Sequence, residues 1–268
     1  MKKEIENFFE SEKIEYFAAL DYSAVYEINR GLLERNSLDA KSLIIFLLPY
    51  YVGDAVNLSE YSASLDYHLI IGEITSKLIE VLRGIYPQNK FAGFGDHSPI
   101  DERGAALAAG LGILGDNGLI INEKYGSYVF VADVITDVEP EQLGAISPHP
   151  VLKCEGCGAC RAACPTGILR AESESCLSAI TQRKGDLTQD EIALMKKHNT
   201  VWGCDICQSV CPHNSNPSVT PIEFFHRDRI SLLTSDVLNG MSDEEFVTRA
   251  FAWRKRKTIE RNLKFLGY

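Results

Sequence analysis

The fold of the C-terminal half is decided by CEGCGACRAACP at residues 154–165 and by CDICQSVCP at residues 204–212. In the first run, gaps of two, two and three residues separate the cysteines, and a proline follows the last one. This spacing is typical of bacterial proteins with two 4Fe-4S clusters, in which the cysteine before proline binds the other cluster. The second run is one cysteine shorter than the first, and Cys176 is the only other cysteine in the chain.

Two clusters need eight thiolate ligands, and the chain has eight cysteines. We predict that the first cluster is bound by Cys154, Cys157, Cys160 and Cys211. The second is predicted to be bound by Cys164, Cys176, Cys204 and Cys207. Structural zinc needs no Cys-Pro after a cysteine triplet, and disulfides suit small secreted chains, so both alternatives are disfavoured. The cysteines therefore predict a protein that moves electrons.

The composition indicates a globular protein of one large domain or two moderate ones, since 45 % of its 268 residues are hydrophobic. The apolar run at residues 43–48 is too short to span a membrane and predicts a buried strand. The N-terminus has no positively charged leader with an apolar core. We therefore expect a cytoplasmic protein that does not contact membranes.

The net charge of −10 is distributed unevenly. Residues 252–268 hold six basic residues and one acid, a net of +5, so the other 251 residues carry −15. The basic residues are Arg254, Lys255, Arg256, Lys257, Arg261 and Lys264. We predict a basic helix from Arg254 to Phe265 that could contact the phosphates of a nucleic acid, with an ordinary solvated helix face as the alternative.

The N-terminal half has the patterns of alternating helices and strands. An opening helix places Ile5, Phe8 and Phe9 on one face, and strands are predicted at residues 42–51, 91–94 and 128–135. A long helix is predicted to contain Leu65, Leu69, Ile74, Leu78 and Leu82. Farther along, Thr188 with Glu191 and Ser242 with Glu245 have the spacing of capping boxes.

These patterns predict an α+β fold in three parts. Residues 1–147 are expected to form an α/β layered sheet domain, and residues 148–218 a ferredoxin-like domain with two 4Fe-4S clusters. Residues 219–268 are expected to form a helical C-terminal segment that packs on the core.

Several further motifs occur in a fixed order along the chain. They are DYH at residues 66–68, DHSPIDER at 96–103, AGLG at 109–112, GSY at 126–128, TD at 136–137, CPTG at 164–167 and GCDICQ at 203–208. Together with the cysteines, this set resembles the epoxyqueuosine reductase family, and the resemblance runs from about residue 42 to residue 266.

The resemblance implies a cobalamin bound base-off between the sheet domain and the cluster domain, and reduction of an epoxide on a tRNA wobble base to an alkene. It implies that Asp96 donates the proton, which a pKa raised by burial would favour. The alternative is that Asp96 caps a helix beginning at Pro99. The residues implied to bind the cofactor are Asp66, Tyr67, His68, Ser98, Pro99, Arg103, Gly126 and Ser127.

The resemblance also implies an external electron donor, such as a flavodoxin or ferredoxin, and a monomer whose basic C-terminal helix contacts tRNA. Three features differ from the usual family pattern. Asp116 replaces a lysine, Glu60 replaces a basic residue, and the sequence stops at Tyr268, which implies a short form without the C-terminal helical-repeat domain.

Two alternatives stay open at the level of sequence. One is a related cobalamin- and iron–sulfur-dependent reductase that acts on a small molecule or on cobalamin itself. The other is an electron-transfer protein, although a carrier has little use for about 150 residues ahead of its clusters.

Overall fold

The computed structural model describes residues 1–169 and 174–268. These residues form two compact units, each assembled from separate stretches of chain. The first, which we call the sheet unit, comprises Met1–Pro49, His68–Gly115 and Leu119–Cys154. The second, which we call the cluster unit, comprises Tyr50–Tyr67, Asp116–Gly118 and Glu155–Tyr268. No helix in these described ranges is long and apolar enough to cross a membrane.

The described strands are β1 (Phe17–Asp21), β2 (Ser42–Pro49), β3 (Phe91–Phe94), β4 (Ile113–Leu114), β5 (Ile120–Ile121) and β6 (Val129–Thr136). The described helices are α1 (Lys3–Ser11), α2 (Arg30–Arg35), α3 (Glu60–Ala63), α4 (Tyr67–Ile85), α5 (Glu102–Ala108), α6 (Pro140–Leu143), α7 (Ala159–Ala163), α8 (Leu177–Gln182), α9 (Gln189–Lys197), α10 (Ile206–Ser209), α11 (Ser235–Gly240), α12 (Asp243–Phe246) and α13 (Arg256–Leu266).

The sheet unit is built on four antiparallel strands in the order β1-β2-β6-β3. All eight residues of β2 are buried, because helices cover both faces of this central strand. On one face Phe9 of α1 stacks on Phe17 and packs against Phe46. On the other face Ile45 belongs to a core cluster with Ala105 of α5. The antiparallel sheet, with helices on both faces, confirms the α+β prediction.

The predicted elements are found with small shifts at their ends. The strand expected at residues 42–51 stops at Pro49, the strand at 91–94 is confirmed, and that at 128–135 lies one residue later. The long helix begins at Tyr67, because Leu65 instead pairs with Arg249 in an isolated β-bridge. Leu69 lies in this helix as predicted, and it is 49 % exposed.

The cluster unit has two small apolar cores rather than a sheet. One surrounds Trp202, which is fully buried, and the other lies where α8 and α9 meet α13. Both capping boxes are confirmed. The basic helix begins at Arg256 instead of Arg254, since Lys255 has a φ of 69° that interrupts the helix.

The three predicted domain ranges, 1–147, 148–218 and 219–268, follow the chain in order. The two units are instead defined by contacts between residues. The chain passes from one unit to the other after Pro49, Tyr67, Gly115, Gly118 and Cys154. The division into three domains at residues 1–147, 148–218 and 219–268 therefore stays a prediction.

Candidate functional site

The cysteines lie in loops and at the ends of short helices. Cys154 is the last residue of the sheet unit, and the other seven belong to the cluster unit. Cys160 lies on α7, Cys207 lies on α10, and Cys176 directly precedes α8. Gly156 and Gly158 both have positive φ, which lets the first run curl without a side-chain clash.

Four of the cysteines lie close enough to influence one another electrostatically. Burial raises the pKa of Cys204 to about 11 and that of Cys207 to about 12, and in both cases the thiols of Cys176 and Cys164 raise it further. These four are the residues that the sequence assigned to the second cluster. Buried thiolates that repel one another need cationic partners, and the irons of a cluster supply them. The donor set therefore fits a 4Fe-4S cluster.

The first cluster's ligands have a different environment. Burial raises the pKa of Cys160, with smaller contributions from the nearby Asp116 carboxylate and the Cys157 thiol. Cys157 and Cys160 are thus neighbours, as the assignment requires, while the roles of Cys154 and Cys211 stay predictions. Among the described residues, no group of three or more His, Cys, Asp or Glu side chains has the arrangement of a site for a single metal ion. A cluster instead takes each thiolate on a separate iron.

Hydrogen bonds also reach the predicted ligands. The backbone N–H of Leu169 donates to the sulfur of Cys164 at 3.3 Å. Burial opposes ionisation of Cys164, but amide donors including that of Leu169 outweigh it and lower the pKa of this thiol. Asn117 donates its side-chain amide to the carbonyl of Cys207 at 3.3 Å. Hydrogen bonds to sulfur are one of the means by which proteins set cluster potentials.

A buried polar group that the sequence did not indicate holds the second cysteine run. The Asp205 carboxylate accepts a hydrogen bond from the Ser59 hydroxyl and one from the backbone N–H of Glu60 at 2.6 Å. The Glu60 carboxylate in turn pairs with Arg229 at 2.7 Å, and both side chains are largely buried. This ion pair gives the acid at position 60, which departs from the family pattern, a structural role.

Asp96, the predicted proton donor, lies in the loop after β3 with a φ of 63°. Its Oδ2 atom is 3.5 Å from Nε2 of His68, and the two side chains are 63 % and 51 % exposed. Helix α5 begins at Glu102, with Asp101 before it, so Asp96 does not cap a helix starting at Pro99. The structure thus brings Asp96 and His68 together and removes the capping alternative.

Two further acids lie behind Asp96, and sequence patterns alone gave them no role. Glu102 accepts a hydrogen bond from the backbone N–H of Asp96 at 3.1 Å. Burial, with a smaller contribution from the Asp133 carboxyl, raises the pKa of Glu102 to about 8.

Asp133 lies in the centre of the sheet on β6, opposite Ile45 on one side and Phe94 on the other. It is fully buried, and neither carboxyl oxygen accepts a hydrogen bond of normal geometry from any described residue. Burial raises its pKa to about 7, and the nearby Ser98 hydroxyl offsets only part of this effect. The fully buried Asp133 and the half-buried Glu102 are therefore two neighbouring acids whose pKa values are both raised toward neutral pH.

The other residues implied to bind the cofactor divide between the two units. In the sheet unit Ser98 and Pro99 are buried, Arg103 is exposed, and Gly126 and Ser127 are buried in the turn before β6. In the cluster unit the backbone N–H of Asp66 donates to the carbonyl of Thr248 at 2.8 Å. Also there, the Tyr67 ring lies edge-on to that of Tyr61, with ring centres 6.2 Å apart. The third member of the triplet 66–68, His68, contacts Asp96.

Several of the side chains exposed near Asp96 are apolar. Leu69, next to His68, is exposed, and so are Tyr26 and Ile28. These last two flank Glu27, which forms a β-bridge with Ile100 in the segment that follows Asp96. Exposed apolar side chains beside polar groups are typical of surfaces that bind a large ligand. The sheet unit therefore offers exposed apolar side chains beside Asp96 and His68.

Comparison with known proteins gives three results. Residues 153–214 match the family described as "4Fe-4S double cluster binding domain". The chain is 30 % identical to the epoxyqueuosine reductase of Leadbetterella byssophila, over 94 % of this chain and 85 % of that protein. It is 32 % identical to the epoxyqueuosine reductase of Gloeobacter violaceus, over 70 % of this chain and 61 % of that protein.

Solved structures have the same fold. The epoxyqueuosine reductase of Streptococcus thermophilus superposes with a TM-score of 0.73 at 24 % identity, covering 98 % of this chain and 80 % of the other. A crystal structure of an epoxyqueuosine reductase with an epoxyqueuosine-modified tRNA stem loop superposes with a TM-score of 0.74 at 23 % identity, covering 97 % and 80 %.

Proposed function

Because the chain belongs to the epoxyqueuosine reductase family, we propose that it is an oxidoreductase that converts epoxyqueuosine in tRNA to queuosine. Its cofactors in this reaction are two 4Fe-4S clusters and cobalamin. The observation that carries the proposal is the pairing of Asp96 with His68, in a chain that also holds eight cysteines in the double-cluster pattern.

The reaction removes the epoxide oxygen as water, which takes two electrons and two protons. The eight cysteines support the supply of electrons, since each cluster passes one electron at a time and two clusters in series can deliver a pair. Bound cobalamin would supply the two-electron chemistry at the epoxide carbon. An external electron donor of the flavodoxin or ferredoxin type is part of the proposal.

The protein's own residues would handle the protons. Asp96 holds a proton at Oδ2 and gives it to the epoxide oxygen, and His68 Nε2 lies close enough to return one to Asp96. Glu102 is a positioning residue, because its carboxyl group holds the backbone of Asp96. The apolar side chains of Leu69, Tyr26 and Ile28 suit the edge of a corrin ring.

The test is conversion of the modified nucleoside in tRNA. Anaerobically purified protein with both clusters is incubated with cobalamin, a low-potential electron donor and tRNA that contains epoxyqueuosine. Digestion and mass spectrometry then measure the loss of one oxygen from the nucleoside. We expect turnover that requires cobalamin, and a loss of about 10² or more in Asp96→Asn, the scale of a missing general acid.

The control variant is Asp39→Asn, which removes an exposed acid elsewhere in the sheet unit. It should react as the wild type does. Absence of conversion by the cluster- and cobalamin-loaded wild type would contradict the proposal. Electron transfer to a partner without epoxide reduction would favour the electron-transfer alternative, and reduction of the free nucleoside but not of tRNA would favour a small-molecule substrate.

A further inference from the structure

The cluster unit contains a cavity of about 420 Å³ that is lined mainly by basic residues. Its walls come from the turn after α8 and from residues 254–261, which include the residues just before α13 and its first two turns. The lining residues are Lys184, Gly185, Asp186, Arg254, Lys255, Lys257, Thr258 and Arg261. Five of these eight residues are basic and one is acidic, so the cavity has an excess of positive charge. Its volume is within the range of ordinary ligand pockets.

Most of the positive charges in this cavity are not neutralised by the protein, since Asp186 is the one acid in its lining. Within the described part of the chain, Lys184, Arg254, Lys255 and Lys257 form no ion pair within 4.0 Å. The Nε atom of Arg254 is buried and has no hydrogen-bond partner there. Arg261 instead donates to the backbone carbonyls of Arg183 and Gly185 and holds the cavity wall in place.

The same cavity lies at the positive end of a helix. Helix α13 is 11 residues long, its first turn contains no acid, and no side chain caps it. Acids are favoured at a helix N-terminus, and cations are disfavoured there. Arg254, Lys255 and Lys257 are thus placed where their charges raise the energy of the unliganded protein. An anion bound in the cavity would remove this cost.

Backbone strain points to the same place. Lys255 has φ 69° and ψ 154°, a region that glycine adopts easily and that is strained for a residue with a side chain. Lys255 therefore adds a cation to the cavity wall although its backbone is strained.

Not every basic residue of the C-terminal segment belongs to the cavity. Arg256 donates to the carbonyls of Leu238 at 2.6 Å and Met241 at 3.2 Å, and its guanidinium lies 4.5 Å from the centre of the Phe246 ring. Arg256 therefore holds α11 and α12 against α13. The basic run at residues 254–257 divides into one structural arginine and three cavity residues.

We propose that this cavity binds a phosphate of the RNA backbone and so forms part of the surface on which the tRNA substrate lies. The inference rests on the proposed function, because it names the place where that substrate is held. RNA is favoured over a free anion by Trp253, which is 57 % exposed next to the cavity. The Arg254 guanidinium lies 3.7 Å from the centre of its ring. A cation stacked on an exposed aromatic ring is a surface that suits unpaired bases.

The experiment compares two double variants of the full chain, purified anaerobically with its clusters. Lys184→Gln with Lys257→Gln removes two cavity charges. Lys196→Gln with Lys197→Gln removes two exposed charges of the same unit, outside both the cavity and the basic C-terminal helix, and serves as the matched control. Fluorescence anisotropy measures the binding of a labelled tRNA anticodon stem loop at several salt concentrations, with inorganic phosphate as a competitor.

We expect the cavity variant to bind the stem loop about tenfold more weakly than wild type at low salt. Its slope of log affinity against log salt should fall by about one to two, the value for two lost phosphate contacts. The control should change affinity less than about threefold. Millimolar phosphate should compete only weakly, since one free anion lacks the remaining contacts of an RNA.

Two results would overturn the inference, and they differ in what they say of the proposed function. If wild type binds the stem loop and the cavity variant matches the control, the cavity is not the site, while the tRNA substrate stands. If wild type shows no salt-sensitive RNA binding but phosphate alone protects Lys184 and Lys257 from acylation, the cavity is a small-anion site. In that second case the tRNA substrate fails as well.

Discussion

The carboxyl group of Glu102 accepts a hydrogen bond from the backbone N–H of Asp96 at 3.1 Å. Asp96 has a left-handed backbone, which costs a residue other than glycine about 1 kcal/mol or more. The hydrogen bond offsets part of this cost and determines the direction in which the Asp96 side chain leaves the loop. Glu102 is therefore a positioning residue for the proposed proton donor.

The first prediction is that Glu102→Ala lowers turnover by about 10-fold or more, since a misplaced acid loses its near-attack geometry. Glu102→Gln keeps an oxygen that can accept the Asp96 N–H, and we expect it to restore most of the activity. Cobalamin affinity, followed by its visible spectrum, should change little in either variant. Equal losses in both would show that turnover does not depend on the hydrogen bond from Asp96 to Glu102.

The second prediction concerns stability and pH. The pKa of Asp133 is raised from its ordinary 3.8 to about 7 in the folded protein, so the unfolded chain releases this proton at lower pH. The stability that this group contributes is present below about pH 4 and is lost as the pH rises to about 7.

Asp133→Asn cannot ionise, so it should unfold at a higher denaturant concentration than wild type at pH 8. We expect a gain in the free energy of unfolding of about 2–4 kcal/mol at that pH, and little difference at pH 4. Unfolding under anaerobic conditions, with the exposed Asp39→Asn as the control, provides the measurement. A variant with the same stability gain at both pH values would contradict the protonation argument.

The third prediction tests the ligand assignment. Cys176→Ala should lower the iron content from about eight to about four atoms per chain and remove one reduced-cluster signal from the electron paramagnetic resonance spectrum. Cys154→Ala should remove the other signal, because it is assigned to the first cluster. Loss of the same signal in both variants, or full iron content in either, would show that the assignment is wrong.

The fourth prediction concerns Asp116, the acid that stands where the family usually has a lysine. Its charge raises the pKa of Cys160, so it lies close to the first cluster's ligands. A nearby negative charge disfavours the reduced cluster, which carries one more electron. Asp116→Asn should raise the midpoint potential of the first cluster by tens of millivolts. The second cluster should move less, and the exposed Asp236→Asn should move neither.

The fifth prediction separates two neighbouring cations. Arg256→Gln should lower the free energy of unfolding by about 1–3 kcal/mol, because it leaves the carbonyls of Leu238 and Met241 without their donor. Lys257→Gln removes the same charge from the cavity wall and should change stability by less than about 0.5 kcal/mol. Equal effects on the unfolding midpoint would refute the structural role given to Arg256.

Local features were predictable from the sequence where local chemistry determines them. Cysteine spacing indicated two clusters, and the capping boxes at Thr188 and Ser242 were found as expected. The β3 strand was predicted to its last residue, because phenylalanine and its flanking turn residues define it.

The buried acids could not be predicted, because their burial depends on contacts between distant parts of the chain. Asp133 becomes buried only when β6 lies between β2 and β3 and α5 covers that face. Ser59 and Asp205, which share a short hydrogen bond, are 146 residues apart in sequence. The division of the basic segment into Arg256 and the cavity residues likewise depends on where α11 and α12 pack.

The cluster unit is made of stretches that are far apart in sequence, which limits how its gene segment could be moved between proteins. Residues 50–67 precede the cysteine runs by about 90 residues or more, yet they provide Ser59 and Glu60 to Asp205 and Leu58 to Trp202. A segment cut out at the first cysteine would lose the groups that hold the second run in place. The cluster unit is therefore discontinuous in sequence, with stretches of the sheet unit between its parts. A gene fusion that carried only the cysteine runs would leave behind residues that hold them in place.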